Sequence, residues 1–163
     1  AYAGQAPPHD SKCIAGDWSY APPELLYRDV PFDWEQRRLG CDLYLMGSMV
    51  SFFFSGVAMT PLLFSHLDPS LHYLRYFGFY RDILPFVRDA FGKAMSVLAP
   101  QFPAAPRADL RVAVEQLCDP DPAIRGHPLN RAMVGNRYSL ERYVSQLDLL
   151  AKRAEYVLGR QAK

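Results

Sequence analysis

The residues from Leu43 to Ser65, LYLMGSMVSFFFSGVAMTPLLFS, run for 23 positions without a charged side chain. Such a run has two physical outcomes. It spans a bilayer, which takes about 20 apolar residues, or it forms the buried post of a globular core. Ser48, Ser51, Ser55, Thr60, Gly47, Gly56 and Pro61 interrupt its apolarity. Gly56 and Pro61 read as a helix stop and its aftermath. Cutting at Gly56 leaves a helix near Cys41 to Ser55, about four turns long and too short to cross a membrane. The buried-core reading follows; a membrane-anchored protein using residues 43–65 is the weaker alternative.

Composition narrows the class further. A length of 163 residues suits one domain. Hydrophobic residues at 50% and charged residues at 21% exclude intrinsic disorder. Lys+Arg number 18 against 17 Asp+Glu. No surplus of cations is left to neutralise phosphates, so no nucleic-acid partner is expected. Cys13, Cys41 and Cys118 are odd in number and far apart, and no C-x-x-C occurs. Neither a zinc site nor a redox dithiol is indicated, and three reduced thiols point to the cytoplasm. His9, His66, His72 and His127 stand alone, outside any metal-ligand spacing, so no metal is expected. The opening AYAGQAPPHDSKCIAG lacks the basic start and apolar stretch of a signal peptide. It reads as a mobile loop over residues 1–15, and its start inside a loop without Met suggests a preceding segment.

Periodicity places the helices. A short one is expected at Pro22–Arg28, and the central apolar helix near Cys41–Ser55. Tyr80, Ile83, Leu84, Val87, Ala90, Phe91, Ala94, Met95 and Leu98 fall at helical spacing, with Asp82 as N-cap and Pro85 in the first turn. Pro100, Pro103 and Pro106 end that helix. Leu110, Ala113, Val114 and Leu117 mark another, closed by Asp-Pro-Asp-Pro at 119–122. The last starts at Ser139 and lines up Leu140, Tyr143, Val144, Leu147, Leu150, Ala151, Ala154, Val157 and Leu158 on one face. No convincing alternating strand occurs. The fold class is all-α, one domain over 1–163, without internal repeats.

Three segments carry more. Gly16-Asp17-Trp18-Ser19-Tyr20-Ala21-Pro22-Pro23-Glu24 precedes the central helix. That helix opens with Cys41-Asp42-Leu43-Tyr44-Leu45-Met46-Gly47 and closes at Ser55-Gly56. Asp121-Pro122-Ala123-Ile124-Arg125 follows the Leu110–Leu117 segment. Singly, each has a plain structural explanation: a helix-start carboxylate, a short helix N-terminus, a turn. Together and in this order they resemble the C-terminal part of the helical lobe of a eukaryotic-type protein Ser/Thr kinase domain. The matching family patterns are the Gly-Thr-x-x-Tyr-x-Ala-Pro-Glu end of the activation segment, the Asp-x-Tyr/Trp-Ser-x-Gly central helix and the late Asp-Pro-x-x-Arg. The resemblance covers roughly residues 14–60 and 110–160.

The resemblance implies a kinase C-lobe-like domain over residues 16–163, lacking the β-rich N-lobe and the catalytic loop. It implies that Gly16, Asp17, Trp18, Ser19 and Tyr20 form a substrate-docking loop, and that Glu24 pairs with Arg125. Asp42 would accept hydrogen bonds from the catalytic-loop backbone, and Gly47 would allow close backbone approach. Ser11 is the candidate phosphoacceptor of the N-terminal loop. Two positions depart from the family: Asp17 stands where Thr is usual, and Pro22 replaces Ala. The chain contains no G-x-G-x-x-G, V-A-I-K or H-R-D, so no catalytic residue is assigned and no cofactor is expected in this chain. ATP and Mg²⁺ are implied for a complete kinase domain. The partners implied are the kinase N-lobe with its catalytic-loop segment, and a protein substrate. No membrane partner is expected. The alternative is a free-standing helical interaction module, a pseudokinase remnant used only for binding.

Overall fold

The computed structural model describes residues 14, 16–31, 33–133 and 137–161, apart from the side chains of 158, 160 and 161. The N-terminal loop expectation, with Ser11 and Cys13, lies outside the described residues. Among the described residues seven α-helices make up the body: α1 Pro23–Leu26, α2 Trp34–Ser55, α3 Met59–Phe64, α4 Tyr80–Leu98, α5 Arg107–Leu117, α6 Pro128–Arg131 and α7 Glu141–Gln161. Single 3₁₀ turns lie at Trp18–Tyr20, Pro69–Leu71 and Ala99–Gln101. The protein is all-α; no strand occurs among the described residues.

The central helix starts two turns earlier than the apolar run suggests. Asp33 caps α2 by accepting from the Gln36 amide at 2.7 Å, and Glu35 lies in the first turn. These turns are mostly polar or charged and only part-buried, so hydrophobic periodicity does not report them. Asp42 is therefore in the ninth position of α2, well inside the helix, and not at its start. The macrodipole fades within the first turn and gives this carboxylate no support. At the other end Gly56 adopts φ 72°, the left-handed C-cap that glycine favours, and its amide bonds to the Phe52 carbonyl at 2.8 Å. No helix among the described residues is long and apolar enough to cross a membrane.

α2 is the post around which α3, α4 and α5 assemble. Leu43 and Tyr44 are completely buried along it, and Leu63, Val87, Leu98, Val114 and Leu117 meet them from the neighbouring helices. Each such aliphatic side chain contributes roughly 1.5–3 kcal/mol on leaving water. α2 and α5 approach closely because residue 47 is glycine. A Cβ there would lie 2.5 Å from Cys118 Sγ and 2.8 Å from Leu117 Cβ.

α4 begins at Tyr80, with Asp82 inside its first turn rather than capping it. Pro85 is the sixth residue, beyond the first turn, and sits on the exposed face where the carbonyl it leaves unbonded can meet water. α7 begins two residues after Ser139, whose Oγ accepts from the Glu141 amide at 3.3 Å. Its apolar face is only partly used. Tyr143 is buried and Leu147 and Leu150 pack on the core, whereas Val144 and Val157 are exposed.

Candidate functional site

The segment before α2 and the loop after α5 meet beside the post. Glu24 in α1 and Arg125 are both buried, at 3% and 1% exposure, although 101 residues separate them. The guanidinium grips the carboxylate through two parallel bonds: Nη1 to Oε1 at 2.7 Å and Nη2 to Oε2 at 2.7 Å. Such a planar fork matches a carboxylate in a way lysine cannot. Nη1 also donates to the Gly40 carbonyl at 3.3 Å, and Nε to the Asp119 carbonyl at 2.9 Å. The Tyr44 ring lies under the cation at 5.1 Å. Burial works against the charged arginine, and Glu24 outweighs it by charge and hydrogen bonding, so the Arg125 pKa is raised.

A second chain of polar contacts surrounds this pair. The Thr60 hydroxyl lies 2.7 Å from the Ala21 carbonyl and 3.1 Å from the Tyr44 hydroxyl. Its one proton goes to the closer carbonyl, and the Tyr44 hydroxyl completes the link. Tyr80 donates to the Pro120 carbonyl at 2.9 Å, and Cys118 Sγ to the Tyr44 carbonyl at 3.5 Å. The Asp-Pro loop is thus tied to α2, α4 and α1 at once. Sequence reasoning missed Tyr44, Thr60 and Tyr80. The available signal was a tyrosine inside the apolar run, since a buried hydroxyl needs a partner.

Above the pair runs a groove of about 450 Å³ between residues 14–25 and the N-terminal half of α2. Ile14, Tyr20, Leu25, Trp34 and Leu45 supply apolar walls, and Arg38 and Asp42 the charges. Asp42 is exposed on this groove. Partial desolvation by the walls raises its pKa, and Arg38 opposes the rise. The docking-loop candidates sit at the groove's mouth. Asp17 caps the 3₁₀ turn, accepting from the Ser19 amide at 2.9 Å and the Ser19 hydroxyl at 2.8 Å, which lowers its pKa. Trp18 is 56% exposed and leans on Tyr73 at 6.3 Å between ring centres. Gly16 is exposed, and a Cβ added there would meet nothing within 4 Å.

The structure thus brings Glu24 and Arg125 together and sets Asp17, Tyr20 and Asp42 around one groove. Gly47 stands apart, serving the α2–α5 contact. Among the described residues no group of three or more His, Cys, Asp or Glu side chains could hold a metal. Comparison with known protein families, with curated proteins and with solved structures found no match.

Proposed function

We propose that this chain is the C-terminal scaffold and peptide-docking part of a protein-kinase-like helical lobe. The observation that carries the reading is the buried Glu24–Arg125 fork, which ties the Pro-Pro-Glu segment to the Asp-Pro-x-x-Arg segment beside the central apolar helix. The motif resemblance implies that contact across 101 residues. The open groove supports it too. Asp42, Trp18 and Leu45 are all exposed there or beside it, as expected of a surface that another segment covers. In this reading the covering segment is the kinase catalytic loop with its N-lobe, and its backbone amides reach Asp42. The complete domain transfers the γ-phosphoryl of Mg-ATP to a protein Ser or Thr, in a reducing cytoplasm. This chain contributes positioning, on which that reaction depends.

The test is to read the coding sequence immediately upstream and to express the chain with and without it. In-frame His-Arg-Asp and Asp-Phe-Gly, with Mg-ATP-dependent phosphorylation of a protein substrate only by the longer form, is the expected result. An upstream sequence without those motifs, or micromolar ATP binding by residues 1–163 alone, overturns the reading. The first of these outcomes would leave the free-standing interaction module in its place.

A further inference from the structure

A cluster of cations stands on the far side of α2, independent of the groove and of the kinase-like reading. His127 caps α6 and Arg131 ends it, with the Arg131 amide bonded to the His127 carbonyl at 3.1 Å. Arg142, on the first turn of α7, is drawn to the same place by Asn130. Its Nε donates to Asn130 Oδ1 at 2.8 Å, and Asn130 is itself fixed, 1% exposed, with Nδ2 donating to the Ser139 carbonyl at 2.9 Å. Among the described residues this bond occupies only Nε and leaves the terminal nitrogens of Arg142 available.

The histidine is set as a donor. Its Nδ1 accepts from the Leu129 amide at 3.2 Å, so the ring proton lies on Nε2, and the ring is steadied by Tyr143 at 5.9 Å. Arg131 Nε is buried without a hydrogen-bond partner. No acidic side chain among the described residues forms an ion pair with Arg131 or Arg142; Glu141 is exposed and unpaired there as well. Burial, then Arg142 and Arg131, lower the His127 pKa. Three other arginines carry an acidic partner: Asp121 for Arg88, Glu115 for Arg111 and Glu24 for Arg125.

We propose that His127, Arg131 and Arg142 form a binding site for a phosphomonoester dianion carried on a phosphorylated Ser or Thr of a peptide. The charge fits, since two guanidinium groups and a neutral imidazole donor match a group of about −1.5 to −2 at pH 7. Planar forks suit phosphate oxygens. Leu129 and Met133, 57% and 49% exposed on the same segment, offer apolar contact to residues flanking the phosphate, which free phosphate would not use.

The experiment titrates the full chain, in phosphate-free buffer at low salt, with a short phosphoserine peptide, its unphosphorylated twin and inorganic phosphate. Binding is read from amide shifts of residues 127–133 and 141–143. The phosphopeptide is expected to bind, its unphosphorylated twin not, and inorganic phosphate more weakly than the phosphopeptide. Arg131→Gln and Arg142→Gln should each weaken binding by about tenfold or more. Arg111→Gln should not. Among the described residues the Arg131 side chain forms no hydrogen bond, so its variant separates lost binding from lost folding. Inorganic phosphate binding as tightly as the phosphopeptide would reassign the site to free phosphate and overturn the peptide. Absence of binding, or binding unchanged in both arginine variants, overturns the site.

Discussion

Truncating Glu24 should be among the most damaging single changes in this protein. Arg125 has five N–H donors; Glu24 receives two of them, and the Gly40 and Asp119 carbonyls one each. In Glu24→Ala the guanidinium keeps only neutral acceptors while remaining 1% exposed in the native geometry. Stranding a buried charge in this way costs about 3–5 kcal/mol, a large part of the roughly 5–15 kcal/mol available to a domain. With a urea m-value of about 2 kcal/mol/M, the unfolding midpoint falls by about 2 M. Arg125→Ala should cost a similar amount, because it strands the carboxylate and two carbonyls. The double variant buries no charge, so its loss should fall short of the summed single losses by about 2 kcal/mol or more. Glu24→Met with Arg125→Met, which fills the space with apolar groups, should be the mildest of the paired changes. Circular dichroism at 222 nm through urea titrations of the four proteins gives the cycle. Single losses that add to within about 0.5 kcal/mol would refute the coupling, and with it the contact on which the proposed function rests.

Gly47→Ala should destabilise by about 1–3 kcal/mol because the new methyl meets Leu117 Cβ and Cys118 Sγ, whereas Gly92→Ala, inside α4 with open space around it, should stabilise by up to about 1 kcal/mol; thermal melts of both variants check the contrast. Burial, followed by Glu24, pushes the Cys41 thiol up to about 12, and burial also raises Cys118 strongly. Both should resist an aromatic disulfide reagent at pH 8 and react on unfolding in urea; fast native labelling of either, identified by peptide mapping, would contradict their burial. His72 and His127 have lowered pKa values, from burial first and neighbouring arginines second. The unfolded chain therefore takes up these protons first as pH falls below about 6.5, and stability drops as pH goes from 7 towards 5. His72→Gln with His127→Gln should flatten that part of the melting-temperature profile in phosphate-free buffer, and an unchanged slope would count against it. Asp42→Asn should change stability by less than about 1 kcal/mol in the isolated chain, since the carboxylate is exposed on the groove and has lost no partner within it; a large loss in urea titration would mean that strong internal partners hold it.

The sequence by itself determined the helical class, the stop at Gly56 and the core positions of α4 and α5, because each rests on local chemistry or on the spacing of apolar side chains. The motif resemblance also implied the Glu24–Arg125 contact, without supplying any distance. Only the tertiary structure decided the rest. The first turns of α2 are polar and capped by Asp33, so no hydrophobic period marks them; finding them moved Asp42 from a helix end to a helix interior. Half of the apolar stripe of α7 is exposed because packing depends on where the neighbouring helices end, which periodicity does not encode. Tyr44, Thr60 and Tyr80 joined the Arg125 network through contacts spanning 16 to 40 residues. His127 gained Arg142 as a neighbour because Asn130 draws it across from another helix. Local propensity is additive along the chain, whereas polar networks depend on which distant segments fold back together, and that is settled by burying the α2 post.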